Sequence, residues 1–354
     1  MFVNGISTLN AQDISSSEET FFGEVQTYSS PILKTYFSDF RKYIKPAAMR
    51  RMSSSVKMGV VAASKVLAST NITQPDAIIV GTGMGCKTDS DVFLENLLAS
   101  NEGLLSPTKF IQSTHNTVAG QIALQLKCKA YNMTFVQGAA SFETALLDAF
   151  LQSNSYKNKQ FLVGGVDEIS KYSNELHQLD GQLKTEQEIC NLNLLDYVSA
   201  GSISGEGASF FVVSGEKSEA SYASVKDIET YNQLGKDGLK NKVLNFLKKN
   251  ELNTEDIDVF ICGNNADVNY DDFYHSLQTD IFSQTPQLYY KHLVGEFYTS
   301  SGFAFWLACK ILRLQEIPEI CQLNNFKPNS SIKTILLYNQ YKGRDHSFIL
   351  LQAC

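Results

Sequence analysis

Asn132-Met133-Thr134-Phe135-Val136-Gln137-Gly138-Ala139-Ala140-Ser141 is the stretch on which the fold turns. A short β-favouring run meets a glycine and small residues, and a helical pattern follows from about Phe142 to Gln152. The same handover recurs along the chain. Ala77–Val80 runs into Gly81-Thr82-Gly83-Met84-Gly85, and Gln160–Val163 runs into Gly164-Gly165-Val166-Asp167. Asp258–Ile261 runs into Cys262-Gly263-Asn264-Asn265, and Gly205-Glu206-Gly207 precedes the apolar run Ala208–Val213. Thr334–Leu337 and Ser347–Leu351 bracket a polar loop. Strands alternating with helices predict α/β layers whose sheets are buried on both faces. Chemistry in such sheets belongs at strand ends and helix starts. Ser214–Asn250, rich in Ser, Glu, Lys and Gly, reads as the crossing between two halves, residues 1–213 and 214–354. The glycine turn at Gly81–Gly85 lacks the third glycine and acidic partner of a dinucleotide fingerprint, and reads as a tight strand-to-helix turn.

Composition narrows the partners. The 354 residues are 43% hydrophobic and 19% charged, enough to bury a sizeable core, and the formal net charge is −7. A negative chain with no basic run is a poor match for nucleic acid or an anionic membrane surface. The longest apolar stretches, Ala145–Leu151 and Phe303–Cys309, are too short to span a bilayer, so no membrane insertion is expected. Met1–Gly5 runs directly into a predicted strand, and a cytoplasmic protein is expected. Seven scattered cysteines without a CxxC pair, and five histidines without metal-ligand spacing, predict reduced thiols and no metal centre.

The ordered strand-end motifs resemble the β-ketoacyl synthases of the thiolase-fold condensing enzymes. Gly81–Gly85 resembles their first glycine turn, and His115-Asn116-Thr117-Val118-Ala119-Gly120 resembles the segment ending Asn-x-x-Ala-Gly. Gly164–Asp167 resembles the Gly-Gly-x-Glu/Asp turn, and Gly205-Glu206-Gly207-Ala208 the Gly-Glu-Gly-Ala before an apolar strand. Lys291–Gly302 has the frame Lys-x-x-x-Gly-His-x-x-x-Ala-x-Gly, and Asn339 opens what resembles the closing Asn-Ser-Phe-Gly-Phe-Gly-Gly loop. The resemblance spans residues 2 to 352 and implies a thiolase-like five-layer α-β-α-β-α fold of two related halves.

Decarboxylative condensation needs a thiolate, placed where a helix dipole lowers its pKa, and two imidazoles that act on the malonyl unit. Alignment to the family places Ala139 at the nucleophile, Asn264 at the first histidine and Glu296 at the second; only Lys291 of the group remains. With one gap, Gln137 takes the nucleophile position and would support malonyl decarboxylation. Ser141 lies nearby without an evident base. Cys86 and Cys262 read as buried structural thiols.

This pattern resembles the chain length factors, particularly those of aryl polyene and related pigment clusters, which are catalytically silent homologues paired with active ketosynthases. The resemblance implies a heterodimer in which the partner supplies Cys-His-His and this subunit shapes the acyl pocket. Acyl chains would arrive on the phosphopantetheine of an acyl carrier protein, with no cofactor of this chain's own. Phe135, Thr117 and Val118 are the expected pocket wall. His115 and Asn116 are expected near the interface, and Tyr341 in a closing loop stiffer than the family's glycine-rich gate. The rival readings are a stand-alone decarboxylase or condensing enzyme, and an acyl- or carrier-binding homodimeric scaffold.

Overall fold

Every second side chain of the central strands enters a different core, and this alternation builds the layers. A computed structural model describes residues 1–354 apart from 15–18, 38, 187 and 329. Its first half holds strands β1 (Phe2–Leu9), β2 (Ala77–Gly81), β3 (Tyr131–Phe135), β4 (Phe161–Asp167) and β5 (Gly207–Ser214). Their spatial order is β1-β5-β4-β2-β3, with antiparallel pairing from β1 through β5 to β4, then parallel pairing to β2 and β3. The second half holds β6 (Ala223–Asn232), β7 (Val259–Cys262), β8 (Gln287–Tyr289), β9 (Thr334–Tyr341) and β10 (Asp345–Gln352). Their order is β6-β10-β9-β7-β8, antiparallel through β9 and then parallel, the same plan as the first half. Two residue pairs, Phe2↔Ser224 and Val3↔Ala223, join β1 to β6 so that ten strands run on as one sheet.

Helices fill the spaces this plan leaves. In the first half they are α1 (Ser54–Ser69), α2 (Lys87–Ala99), α3 (Thr117–Leu126), α4 (Ser141–Ser155) and α5 (Lys171–Leu179). The second half adds α6 (Lys236–Lys249), α7 (Asp271–Asp280) and α8 (Ser301–Leu314). In β5, Phe211 and Val213 enter the central core with α4 and α8, whereas Phe210 and Val212 pack with α1 and α3. In β7, Val259 and Ile261 enter the central core, whereas Phe260 and Cys262 pack with α6 and α7. The layers are therefore α1/α3, sheet, α4/α8, sheet, α6/α7, the five-layer α/β arrangement. Phe142, Phe211 and Phe305 meet at its centre, the last two edge to face with centroids 4.7 Å apart. Each such buried ring contributes about 1.5–3 kcal/mol through removal from water.

The crossing expected over Ser214–Asn250 is instead the first strand and first helix of the second half, β6 and α6. Its polar composition hid a strand because Asp227 and Glu229 on β6 are paired with Lys249 at the end of α6. Among the described residues, no helix is long and apolar enough to cross a membrane.

Candidate functional site

Three acidic residues from the strand-end motifs first fix the frame. Asp167, ending β4, accepts hydrogen bonds from the Gly83 and Met84 amides at 2.8 and 3.0 Å and from the Thr82 hydroxyl at 3.0 Å. Its other oxygen accepts from Thr299 Oγ1 at 2.9 Å, so one carboxyl clamps the first glycine turn and ties it to the approach to α8. Burial outweighs these donors and pushes its pKa up to about 6. Glu168 accepts from the Ser55 and Thr88 amides at the starts of α1 and α2. Glu206 accepts from the Thr35 and Ile169 amides. These carboxylates satisfy loop backbone that would otherwise be buried without partners. Gly81 lets β2 approach α4 closely: a Cβ there would lie 2.3 Å from the Ser141 carbonyl oxygen.

The start of α4 carries an alanine and a serine that belong to its turn. Ala139 is buried in a short turn, Gly138–Ala140, that leads into the helix. Ser141 Oγ accepts from the Gln137 amide at 2.9 Å and donates to the Gly138 carbonyl at 2.7 Å, so the hydroxyl is spent on shaping the turn. Gln137 itself is exposed. Burial pushes the Cys86 thiol up to about 11 and raises Cys262 well above the usual range, which leaves both protonated at neutral pH. In the first turn of α4, the fully buried Glu143 accepts from Ser347 Oγ at 2.9 Å, and burial raises its pKa.

The second half keeps charge at the corresponding place. Lys291, with no exposed surface, donates to Glu296 Oε2 at 2.6 Å, and Asn265 Nδ2 donates to the same oxygen at 2.8 Å. The Glu296 backbone is held on both sides, its amide bonding the Ile203 carbonyl and its carbonyl accepting from Gly205. Gly295, at φ 76°, makes the turn that lets the two glycine backbones meet. Asn264 is turned aside: its Oδ1 accepts from Gln278 of α7 at 3.0 Å. Asn265 therefore stands beside Glu296, and Asn264, aligned with the family's first histidine, bonds α7 instead. The next residue, Ala266, stands at φ 60° in the loop after β7.

The closing segment is a tight hairpin. Tyr341 pairs with Asp345 across a turn at Lys342-Gly343-Arg344, and Gly343 donates its amide to Gln340 Oε1 at 2.7 Å. The Gln340 amide is itself taken by Tyr274 Oη at 3.2 Å. A Cβ on Gly138 would lie 3.3 Å from Asp345, so the hairpin stands beside the turn that carries Ala139. The Tyr341 ring lies 5.0 Å from that of Tyr298, and burial raises the Tyr341 pKa.

A cavity of about 780 Å³, mouth included, opens over this place and is lined by Glu296, Asn265, Tyr298 and Tyr341, with Asn174 and Ser202 on its far wall. Of the expected pocket wall, Val118 is wholly buried in the core between α3 and α1, against Gly59, and does not line this cavity. Thr117 is buried at the start of α3 and shares a hydrogen bond with Thr114. Phe135 ends the edge strand β3 and packs partly into the central core. His115 and Asn116 are exposed, the His115 backbone lying over the Gly85 turn. Among the expected pocket residues, Tyr341 alone lines the cavity.

Comparison with known proteins agrees with this fold. No curated protein matches the chain. The fold is similar over 100% of the chain to the ishigamide ketosynthase/chain length factor, with TM-score 0.79, 14% identity and 98% of that chain covered. It is similar over the same full length to a ketosynthase (ApeO) in complex with its chain length factor (ApeC) from Xenorhabdus doucetiae, at TM-score 0.77, 12% identity and 98% coverage. A β-ketoacyl synthase from Burkholderia phymatum STM815 gives TM-score 0.76 at 14% identity, with 100% of this chain and 99% of that one covered. Residues 36–178 match the family model described as beta-ketoacyl synthase, N-terminal domain, and the whole chain carries the fold of these ketosynthase structures.

Proposed function

We propose that this chain is the non-catalytic chain length factor subunit of a ketosynthase heterodimer that elongates carrier-bound acyl or polyene chains in the cytoplasm. The observation that carries the reading is Ala139: a methyl group stands in the turn before α4, and the nearest hydroxyl, Ser141, is consumed by that turn. The Lys291–Glu296–Asn265 group supports it, since each charge there is answered by the other. A partner would supply Cys-His-His, and phosphopantetheine would come with an acyl carrier protein.

The outer edge of the first half suits such a partner. β3 ends the strand order, and Tyr131, Met133 and Val136 along it are 42, 39 and 46% exposed. Phe110 and Ile111 add apolar surface at 58 and 60% exposure. An edge strand with an apolar flank is a ready template for another chain. The pocket shaped by this subunit would then close across the interface, with Phe135 at its rim.

The test is affinity purification from the native host with mass spectrometry of what accompanies the chain. Equimolar recovery of a ketosynthase with an intact Cys-His-His set is the expected result. Recovery of a homodimer alone, in cells making product, overturns the reading and reopens the decarboxylase and scaffold alternatives.

A further inference from the structure

A second buried lysine lies behind the cavity, away from the Lys291 pair. Lys184 is 2% exposed, and its ammonium donates to the Tyr197 carbonyl at 3.0 Å and to the Ala266 carbonyl at 2.9 Å. It also meets Ser199 twice, at the carbonyl (3.2 Å) and at Oγ (2.9 Å). Three N–H bonds are thus shared among oxygens from two loops that belong to different halves. Ser199 Oγ passes its own hydrogen to Glu186, and Glu186, Asp267 and Asp271 are the carboxylates whose charge offsets the burial of Lys184.

The two loops are the walls of the cavity. Gln182, Leu183 and Ser202 line it from the first half, and Asn265 and Asp267 from the second. Lys184 also bonds the Ser202 carbonyl through its own amide at 3.0 Å. On the other side, Ala266 is held in the left-handed region at φ 60°, a conformation unfavourable by about 1–2 kcal/mol for a residue with a Cβ. Its carbonyl is the one that Lys184 grips, and its neighbour Asn265 reaches Glu296. Two buried ammonium groups therefore bracket a single loop, Lys291 acting through Glu296 and Lys184 through Ala266.

We propose that Lys184 is a positioning residue, an internal cation in an oxygen cage that fastens the two halves and holds residues 264–268 in the turn that delivers Asn265 to Glu296. No step of this depends on the partner proposed above. An ammonium in a cage of carbonyl and hydroxyl oxygens has a consequence that ordinary packing lacks: removing the side chain leaves a hole shaped for a small monovalent cation.

The experiment uses the full chain with Lys184→Ala. Its Tm should fall by about 6–10 °C, as expected when buried oxygens lose a charged donor. Methylammonium chloride should restore at least half of that loss in a saturable manner, whereas choline chloride at the same ionic strength should not. Amide hydrogen exchange should rise at least tenfold at residues 197–200 and 264–268 and stay unchanged in α1 and β2. A Tm equal to that of the wild type, equal effects of the two salts, or exchange raised evenly through the chain would each overturn the proposal. Ser199→Ala removes only one oxygen and keeps the proposal testable if Lys184→Ala does not fold. It should show the same local exchange pattern with a Tm shift of about 2–3 °C; unchanged exchange in both loops overturns the proposal.

Discussion

The start of α4 and the segment leading into α8 occupy equivalent places in the two halves, each following the edge strand of its set, yet they are built from opposite materials. In the first half the place is apolar: Ala139 is buried and a serine hydroxyl closes the turn. In the second half it is charged, and the buried ammonium of Lys291 is answered by Glu296 and Asn265. A place can thus carry no net charge because it holds no charged group or because its charges cancel. The energetic consequences differ. An empty place tolerates change, while a cancelled one becomes costly as soon as either member goes, because the remaining charge is stranded in low dielectric.

The largest expected effect separates these two cases. Glu296→Ala should lower unfolding free energy by about 3–5 kcal/mol, the range for breaking a buried pair. Replacing both members, Lys291→Met with Glu296→Leu, should cost less than the single change. Ala139→Ser should stay within about 1 kcal/mol. Urea unfolding of the variants decides the matter: equal costs for Glu296→Ala and Ala139→Ser would dissolve the contrast between the halves.

The joint between the halves comes next. Asp167 accepts from the glycine turn of the first half and from Thr299 of the second. An amide in its place turns a donor toward amides that already donate. Asp167→Asn should therefore cost about 2–3 kcal/mol, read from the same urea curves. An unchanged midpoint would show that the clamp adds nothing beyond backbone packing.

A smaller effect distinguishes core from pocket. Val118 fills the contact between α3 and α1, so Val118→Ala should cost about 2 kcal/mol in stability and, if the chain pairs with a ketosynthase as proposed, leave product length unchanged. Phe135, at the free edge, should behave in the reverse way. Shortened or lengthened product from Val118→Ala with no loss of stability would restore it to the pocket wall.

Val118 shows where the sequence runs out. Both Val118 and Thr117 lie at a helix start in a conspicuous motif, and nothing in a linear pattern tells which side of α3 faces α1. The strand-end glycines and the acidic residues after them were legible because backbone geometry demands them: Gly81 must admit α4, and Asp167 must meet buried amides. The place of Ala139 in the turn ahead of α4 was legible for the same reason, being fixed by its distance from the strand before it. Asn265 was not legible. Which of two adjacent asparagines faces Glu296 depends on the loop after β7, where Ala266 is left-handed, and no local rule predicts an alanine there. Lys184 was hidden too, since its oxygen partners are main-chain carbonyls whose positions are set only by the assembled loops.

Acidity should be felt in the charged half too, and Asp271 provides the narrowest test. It opens α7 near Asp267, Lys184 and Lys291, and burial, reinforced by the Asp267 charge, pushes its carboxyl up to about 6 from an ordinary 3.8. Because the folded-state pKa is raised, the native state binds more protons than the unfolded chain between about pH 4 and pH 6. Stability contributed by this group is therefore fully present below about pH 4 and is lost as pH rises through 6. Asp271→Asn removes that titration. The wild type should thus lose about 1 kcal/mol relative to the variant between pH 4 and pH 7, the solvent-facing part of the carboxyl reducing the full linkage value. Asp167 titrates over the same window, so the quantity that matters is the difference between the two proteins, measured by urea unfolding at each pH. A difference that stays flat across the window means that Lys184 and Lys291 already hold Asp271 ionised, and the second half would then be balanced in charge throughout, not only at Glu296.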